Sequence, residues 1–295
     1  MTQVRVQVPA TSANLGPGFD ALGLALGMYD ELTLRISARP GLRIEAYGDA
    51  PTDETNLVAQ AARAGFAAAG PQPLGLELSY NARIPHSRGL GSSAAAICAG
   101  VTGALALSGV RDRALALKIA FGLERHPDNI AAALYGGLTV AWIDVAGEPA
   151  AIRLTPARGI VPVAFIPERR TSTAASRSAL PETVPHVDAA RNAGRSALLV
   201  AALTSNPREL LAATEDRLHQ PYRLPGIPEG AALIARLRAA GVPAVLSGSG
   251  PTVLALCRDS AESAVAHGLA AGGYEPCELT VDLEGTTCTA VVSDR

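Results

Sequence analysis

Val4, Val6 and Val8 alternate with polar neighbours, and the same two-residue period returns at Leu32, Leu34 and Ile36, at Leu42, Ile44 and Ala46, and at Leu74, Leu76, Leu78 and Tyr80. Alternation of this kind predicts strands that bury one face. Between them, residues 55–69 are Ala-rich with Leu57, Ala61 and Ala64 on one helical face, and Gly70-Pro71 stops the helix. Residues 92–107 predict a second helix, 114–124 a third, and 138–143 a further strand. A stretch rich in Pro, Gly and Ala, 147–159, predicts a boundary. Beyond it the pattern predicts a strand at 161–166, a polar loop at 169–185 and two Ala/Leu-rich helices reaching to 218. A helix at 231–240 then leads into a strand–turn–strand at 242–256, and one more helix with one or two short strands closes the chain. Strands arrive in runs rather than in strict alternation with helices, which predicts the α+β class.

The length of 295 residues is enough for two domains, expected at 1–150 and 151–295. A net charge of −2, with no run of like charges and no stacking series among the few aromatic residues, sets nucleic-acid binding aside. With 48% hydrophobic and 18% charged residues, disorder is excluded. The apolar run 94–107 contains Gly100, Thr102 and Gly103 and is too short for a bilayer, so it predicts a buried helix and no membrane partner. The opening MTQVRVQVPA has no apolar core of a secretory leader. Cys98, Cys257, Cys277 and Cys288 are scattered without a CxxC pair, as suits reduced thiols in the cytoplasm rather than a disulfide frame or a zinc site.

The densest chemistry lies in Pro85-His-Ser-Arg-Gly-Leu-Gly-Ser-Ser-Ala-Ala95, between a predicted strand and a predicted helix. A glycine-rich loop feeding a helix start offers free N–H groups and the positive end of the helix dipole, which together suit phosphate. Gly89 and Gly91 allow close backbone approach, and Ser92 and Ser93 add hydroxyls for phosphate or a metal ion. No lysine follows the last glycine, so this is not the GxxxxGK[ST] loop. His219 and His267 lack ligand spacing and are expected at the surface or behind the site.

This loop resembles the ATP loop of the GHMP small-molecule kinases, and two more motifs of that superfamily follow the right order. Pro9-Ala-Thr-Ser-Ala-Asn-Leu-Gly-Pro-Gly-Phe-Asp20 resembles the first, and Leu246-Ser-Gly-Ser-Gly-Pro-Thr-Val253 the third, with Ser249 where alanine is common. The form of the first motif, together with His126-Pro-Asp-Asn129, Ser172-Thr-x-x-x-Arg177 and Asp216-Arg-Leu-His-Gln-Pro-Tyr-Arg223, resembles the members that act on homoserine. The resemblance spans essentially the whole chain. It implies a two-domain GHMP kinase fold, with a ribosomal-protein-S5-like N-terminal domain and a ferredoxin-like C-terminal domain. It also implies transfer of phosphate from ATP to the hydroxyl of L-homoserine with Mg²⁺, and leaves a homodimer open.

By that resemblance ATP would lie on Pro85, His86, Ser87, Arg88, Gly89, Leu90 and Gly91 and on the helix start at Ser92, Ser93, Ala94 and Ala95, with Asn56 on the nucleotide side. Homoserine needs an acid for its ammonium and a cation for its carboxylate. Asp20 and Asn14 would serve the amino end and Arg177 and Arg223 the carboxylate, a task suited to the guanidinium fork. Thr173, His126 and Asp128 would complete the substrate pocket, and Asn129, Asp128 and Ser93 the catalytic set. Ser93 and Glu124 would be the magnesium residues. Only Arg125 separates Glu124 from His126, which keeps Asp128 as the alternative metal carboxylate. Whether a side chain acts as base stays open, because asparagine stands where some relatives have aspartate.

Overall fold

The computed structural model describes residues 2–46, 50–171 and 173–291. In chain order the first half contains β1 (Gln3–Ala13), β2 (Leu22–Ser37), β3 (Gly41–Ala46), α1 (Leu57–Ala69), β4 (Gly75–Asn81), α2 (Ser92–Leu107), α3 (Arg113–Leu123), α4 (Pro127–Tyr135), β5 (Leu138–Ile143) and β6 (Pro149–Leu154). The second half contains β7 (Val161–Pro167), α5 (Thr173–Ser178), α6 (His186–Thr204), α7 (Leu210–Ala213), α8 (Gln220–Arg223), α9 (Pro228–Ala239), β8 (Ala244–Leu246), β9 (Val253–Cys257), α10 (Ser260–Gly268), β10 (Tyr274–Glu278) and β11 (Thr287–Ala290).

The first sheet is built on β2, which pairs antiparallel with β1 along its length, with β4 over Glu31–Ser37 and with β5 at Leu22–Leu24. The β1–β2 register shifts between Pro9 and Ala10, where proline lacks the N–H that a regular ladder needs. β3 lies parallel to β4, with α1 as the crossover, while β6 extends β5 and β11 returns from the far end of the chain to pair with β1. The alternating valines of β1 and leucines of β2 point into one core, which α1, α2 and α4 close. α2 is buried almost all round, which is why the apolar run 94–107 resembles a membrane segment in composition. Gly100 lets two helices touch: a Cβ there would press on the Val58 carbonyl and on Ala61 of α1.

The second sheet has the order β10-β7-β9-β8, all antiparallel. Leu254 and Leu256 of β9 face the first core, whereas Val253, Ala255 and Cys257 face a smaller second core under α9 and α10. Being covered on both sides makes β9 a continuous apolar run rather than an alternating one.

Three local expectations change. β6 lies inside the stretch 147–159, because a half-exposed edge strand shows little apolar alternation. A short helix, α5, interrupts the polar loop 169–185. The second of the two Ala/Leu-rich helices before 218 shrinks to the four residues of α7, after a 3₁₀ turn begun by Pro207.

Candidate active site

The end of β1 runs into a loop that is left-handed at Asn14, Leu15 and Asp20, with φ of 68°, 51° and 54°. Asn14 holds that shape: its Nδ2 donates to the Gly248 carbonyl at 2.9 Å and its Oδ1 accepts from the Asp20 N–H at 2.9 Å. Backbone bonds fasten the other two glycine loops to this one, with Thr11 N–H donating to Leu90 and Gly248 N–H to Ala13, and to each other, with Thr252 N–H donating to Arg88. Ser247 Oγ donates to the Gly89 carbonyl at 2.6 Å and lies 2.8 Å from Ser12 Oγ. A Cβ at Gly89 would strike the Ser247 carbonyl, and one at Gly91 the Thr11 hydroxyl, so both glycines are needed for loop-to-loop approach as well as for their positive φ.

A cleft of about 160 Å³ opens where the three loops meet. α2 starts there behind Gly91, whose φ is 71°, and no side chain caps it, so its first N–H groups and dipole serve the cleft. α4 also starts there, with Pro127 in its first turn, bringing Asp128 and Asn129 to the same space. Two helix N-termini converging on one cleft favour an anion.

Glu124 leaves α3 in an extended conformation, φ −137° and ψ 118°, and its Oε2 accepts from Ser93 Oγ at 2.6 Å. Of the two candidate metal carboxylates, Glu124 is therefore the one beside Ser93, despite the short spacing to His126. His126 Nδ1 lies 3.5 Å from Glu124 Oε1, and this carboxylate raises the histidine's pKa. Thr11 Oγ1 donates to Asn129 Oδ1 at 2.9 Å, which turns the asparagine NH₂ towards the cleft. Asp128 is 2% exposed, and burial, reinforced by the nearby Asp20 charge, pushes its carboxyl up to about 7.

Arg177 Nη2 holds both Asp20 oxygens, at 2.8 and 2.7 Å. The groups expected at opposite ends of one zwitterion thus meet each other across the cleft. Arg223 is 5% exposed and keeps its place through the carbonyls of Ser176 (3.3 Å) and Gly248 (3.2 Å) and through His219 Nδ1 (3.2 Å). Both guanidinium groups lie over the Phe19 ring, at 5.7 Å for Arg177 and 5.3 Å for Arg223.

Not every expected residue arrives. Asn56 caps α1 by accepting from Val58 and Ala59 N–H and donating to the Pro51 carbonyl, and it does not line the cleft. Arg88 reaches the Glu168 carbonyl instead, while Pro85, Leu90, Ala94 and Ala95 shape the loop and core behind the lining. His86 and Ser87 do line it, with His86 Nδ1 3.3 Å from Ser92 Oγ. Asn14 lines it too, spending one amide hydrogen and one oxygen lone pair on the loop, so one donor and one acceptor position remain for a ligand. The side chain of Thr173, like Ser172, lies outside the described residues. His219, expected at the surface or behind the site, is wholly buried against Arg223. Thr11, Thr171, Gly248 and Ser249 are additions, three of them inside the quoted motifs. Asp30 is another, a buried carboxylate that accepts from the N–H groups of Arg83 (2.6 Å) and Ile84 (2.8 Å) and fixes the entry to the glycine-rich loop 85–95. Nothing in an alternating strand marks such a residue.

Residues 56–137 match the GHMP kinases N terminal domain, and residues 197–275 the GHMP kinases C terminal domain. The chain is 53% identical over 292 residues to a homoserine kinase of Streptomyces avermitilis, covering 96% of this chain and 95% of that one. A homoserine kinase crystal structure from Cytophaga hutchinsonii superposes with a TM-score of 0.87 at 27% identity, covering 98% of each chain. A mevalonate kinase from L. major, solved with R-mevalonate, shares the fold at a TM-score of 0.72 and 17% identity, covering 93% of this chain and 94% of that one.

Proposed function

Because the chain belongs to the GHMP kinases, and within them to the homoserine kinases, we propose that the cleft where its three loops meet is the place of phosphoryl transfer. The enzyme moves the terminal phosphoryl group of ATP to the side-chain hydroxyl of L-homoserine, giving ADP and O-phospho-L-homoserine, a step toward threonine. One juxtaposition carries the assignment of the cleft. An uncapped helix N-terminus flanked by serines lies on one side, and an acid faces two arginines on the other.

In this reading the N–H groups of Ser92 and Ser93, with Gly89 and Gly91, hold the phosphates of ATP. Asp20 and buried Asp128 take the ammonium of homoserine, and Arg177 and Arg223 its carboxylate. Substrate entry then exchanges the Asp20–Arg177 pair for two new pairs, each with one end of the zwitterion. A ligand carrying only one charge would break that pair and leave a partner alone, which selects against hydroxy acids and amino alcohols, and an uncharged alcohol has nothing to offer either partner.

The hydroxyl and carboxylate oxygens of Ser93 and Glu124 fit Mg²⁺, a cation that takes few protein ligands and leaves the rest to phosphate and water. Bound there, the ion would neutralise charge on the phosphates. Asn129 has no basic atom to offer, because a carboxamide is not protonated near neutral pH; with Thr11 on its oxygen, its NH₂ orients the substrate hydroxyl. The hydroxyl proton then passes to the transferring phosphoryl group, as a loose transition state allows. Unpaired Cys98, Cys257, Cys277 and Cys288 support a cytoplasmic setting.

Purified protein with ATP and Mg²⁺ should turn over homoserine far better than a mevalonate-type hydroxy acid or 1,4-butanediol. Faster turnover of either alternative would overturn the reading.

A further inference from the structure

Resting on the reading of Arg223 as the partner of the substrate carboxylate, we infer that His219 is a positioning residue. Its neutral imidazole, fixed in one tautomer, aims the Arg223 guanidinium into the cleft. His219 is 0% exposed, and each ring nitrogen meets a neighbour that can play only one part. Nε2 lies 2.9 Å from the Gly16 carbonyl, which only accepts, so Nε2 carries the proton. Nδ1 lies 3.2 Å from Arg223 Nη1, which only donates, so Nδ1 offers its lone pair. Only the neutral Nε2–H form satisfies both.

The surroundings hold that form. Burial opposes a charge on the ring, and a second proton would face the Arg223 cation directly. The Asp216 carboxylate lies 3.5 Å from Nε2 and favours protonation. It is engaged, however, by the N–H groups of Leu218 (2.8 Å), His219 (3.2 Å) and Gln220 (2.6 Å), which shape the turn into α8. Asp20 is the other carboxylate acting on the ring, and Arg177 already holds it. Phe19 stacks on the imidazole at 5.2 Å and carries Arg223 over its own face, so ring and guanidinium share one platform. With Nε on Ser176 and Nη1 on Gly248 and His219, Nη2 is the Arg223 nitrogen left without a partner among the described residues. It is the nitrogen free for a carboxylate.

Two substitutions separate positioning from scaffolding. In His219→Gln the amide nitrogen overlays Nε2 and keeps the Gly16 bond, but Arg223 loses its acceptor. In His219→Asn the amide oxygen overlays Nδ1 and keeps the acceptor, but the Gly16 bond is lost. Positioning requires His219→Gln to raise the homoserine KM about 10- to 100-fold, with the ATP KM and kcat little changed, and His219→Asn to raise it less. The opposite order would show that His219 only anchors the Gly16 loop and would overturn the inference. In an Arg223→Leu background His219→Gln should add no further rise. If Arg223→Leu by itself leaves the homoserine KM unchanged, the reading of the cleft fails. If Arg223→Leu raises it and His219→Gln does not, only the present inference fails. Should the variants not fold, nitrogen NMR of the wild-type imidazole decides: the inference requires an unprotonated Nδ1 at neutral pH, and a protonated one excludes it.

Discussion

Asp128 shows how one residue links burial to pH. Its carboxyl is pushed from the ordinary aspartate value of 3.8 up to about 7, so between about pH 4 and pH 7 the folded protein holds a proton that the unfolded chain has released. Stability therefore falls as pH rises through that window and levels off above it. Asp128→Asn removes the cost of ionising a buried acid and keeps the oxygen that accepts from Asn129 N–H. Its melting temperature should exceed the wild type's above pH 7 by the equivalent of roughly 2–4 kcal/mol, with the difference vanishing near pH 4. Parallel melting curves across that range would refute the buried-acid account. Ser93 tests the metal side. Ser93→Ala should lower kcat about 10- to 100-fold and leave the homoserine KM nearly unchanged, because the metal serves the transferring group. An unaltered kcat would remove Ser93 from the magnesium set.

At the scale of elements, caps tell two kinds of helix start apart. α1 is capped by the Asn56 side chain, whereas α2 is left open at Gly91. For Asn56 the sequence leaves a nucleotide-side position by resemblance and a helix cap side by side, and the structure shows the cap. Asn56→Ala should cost about 1 kcal/mol of stability in denaturant unfolding and leave the ATP KM unchanged. A large rise in that KM would restore a nucleotide role. At α2 the added methyl of Gly91→Ala meets Thr11 and needs a strained φ, so it should disturb both the phosphate cradle and the Asn129 amide that Thr11 holds. Calorimetry should show weakened ATP binding by a protein that still folds, and normal affinity would mean that phosphate does not sit at this helix end.

At the scale of the whole molecule, three charges from distant parts of the chain converge on one small cleft. Arg223 is buried, while Arg177 and Asp20 are 46% and 41% exposed at the side chain, so their losses should differ. Removing one partner of a desolvated charged bond costs about 2–5 kcal/mol, roughly 30- to 4,000-fold in affinity. Arg223→Leu should fall within that range for the homoserine KM. Solvent screening holds Arg177→Leu and Asp20→Asn near or below its lower end. All three should leave the ATP KM nearly unchanged, and three normal homoserine KM values would detach these residues from the substrate.

The sequence by itself determined the α+β class, most element positions and the three loops that meet at the cleft. Those features are local: period-two valines, helix stops such as Gly70-Pro71, and glycines that only tight loops need. The expectation that Asp20, Arg177 and Arg223 serve one zwitterion came from resemblance to family motifs, and packing brings the three charges to one cleft. Tertiary structure decided which atoms are free to act. Packing of the 246–253 turn against β1 gave one amide hydrogen of Asn14 to Gly248 and one oxygen lone pair to Asp20 N–H, which orients the rest of that amide at the cleft. Glu124 rather than Asp128 met Ser93 because α3 ends in an extended residue while α4 buries Asp128. Asp30 and His219 gained their places from contacts 54 and 203 residues apart, respectively. Sequence patterns record the exposure and conformation of neighbours along the chain, whereas hydrogen-bond partners are fixed only when remote segments pack and exclude water.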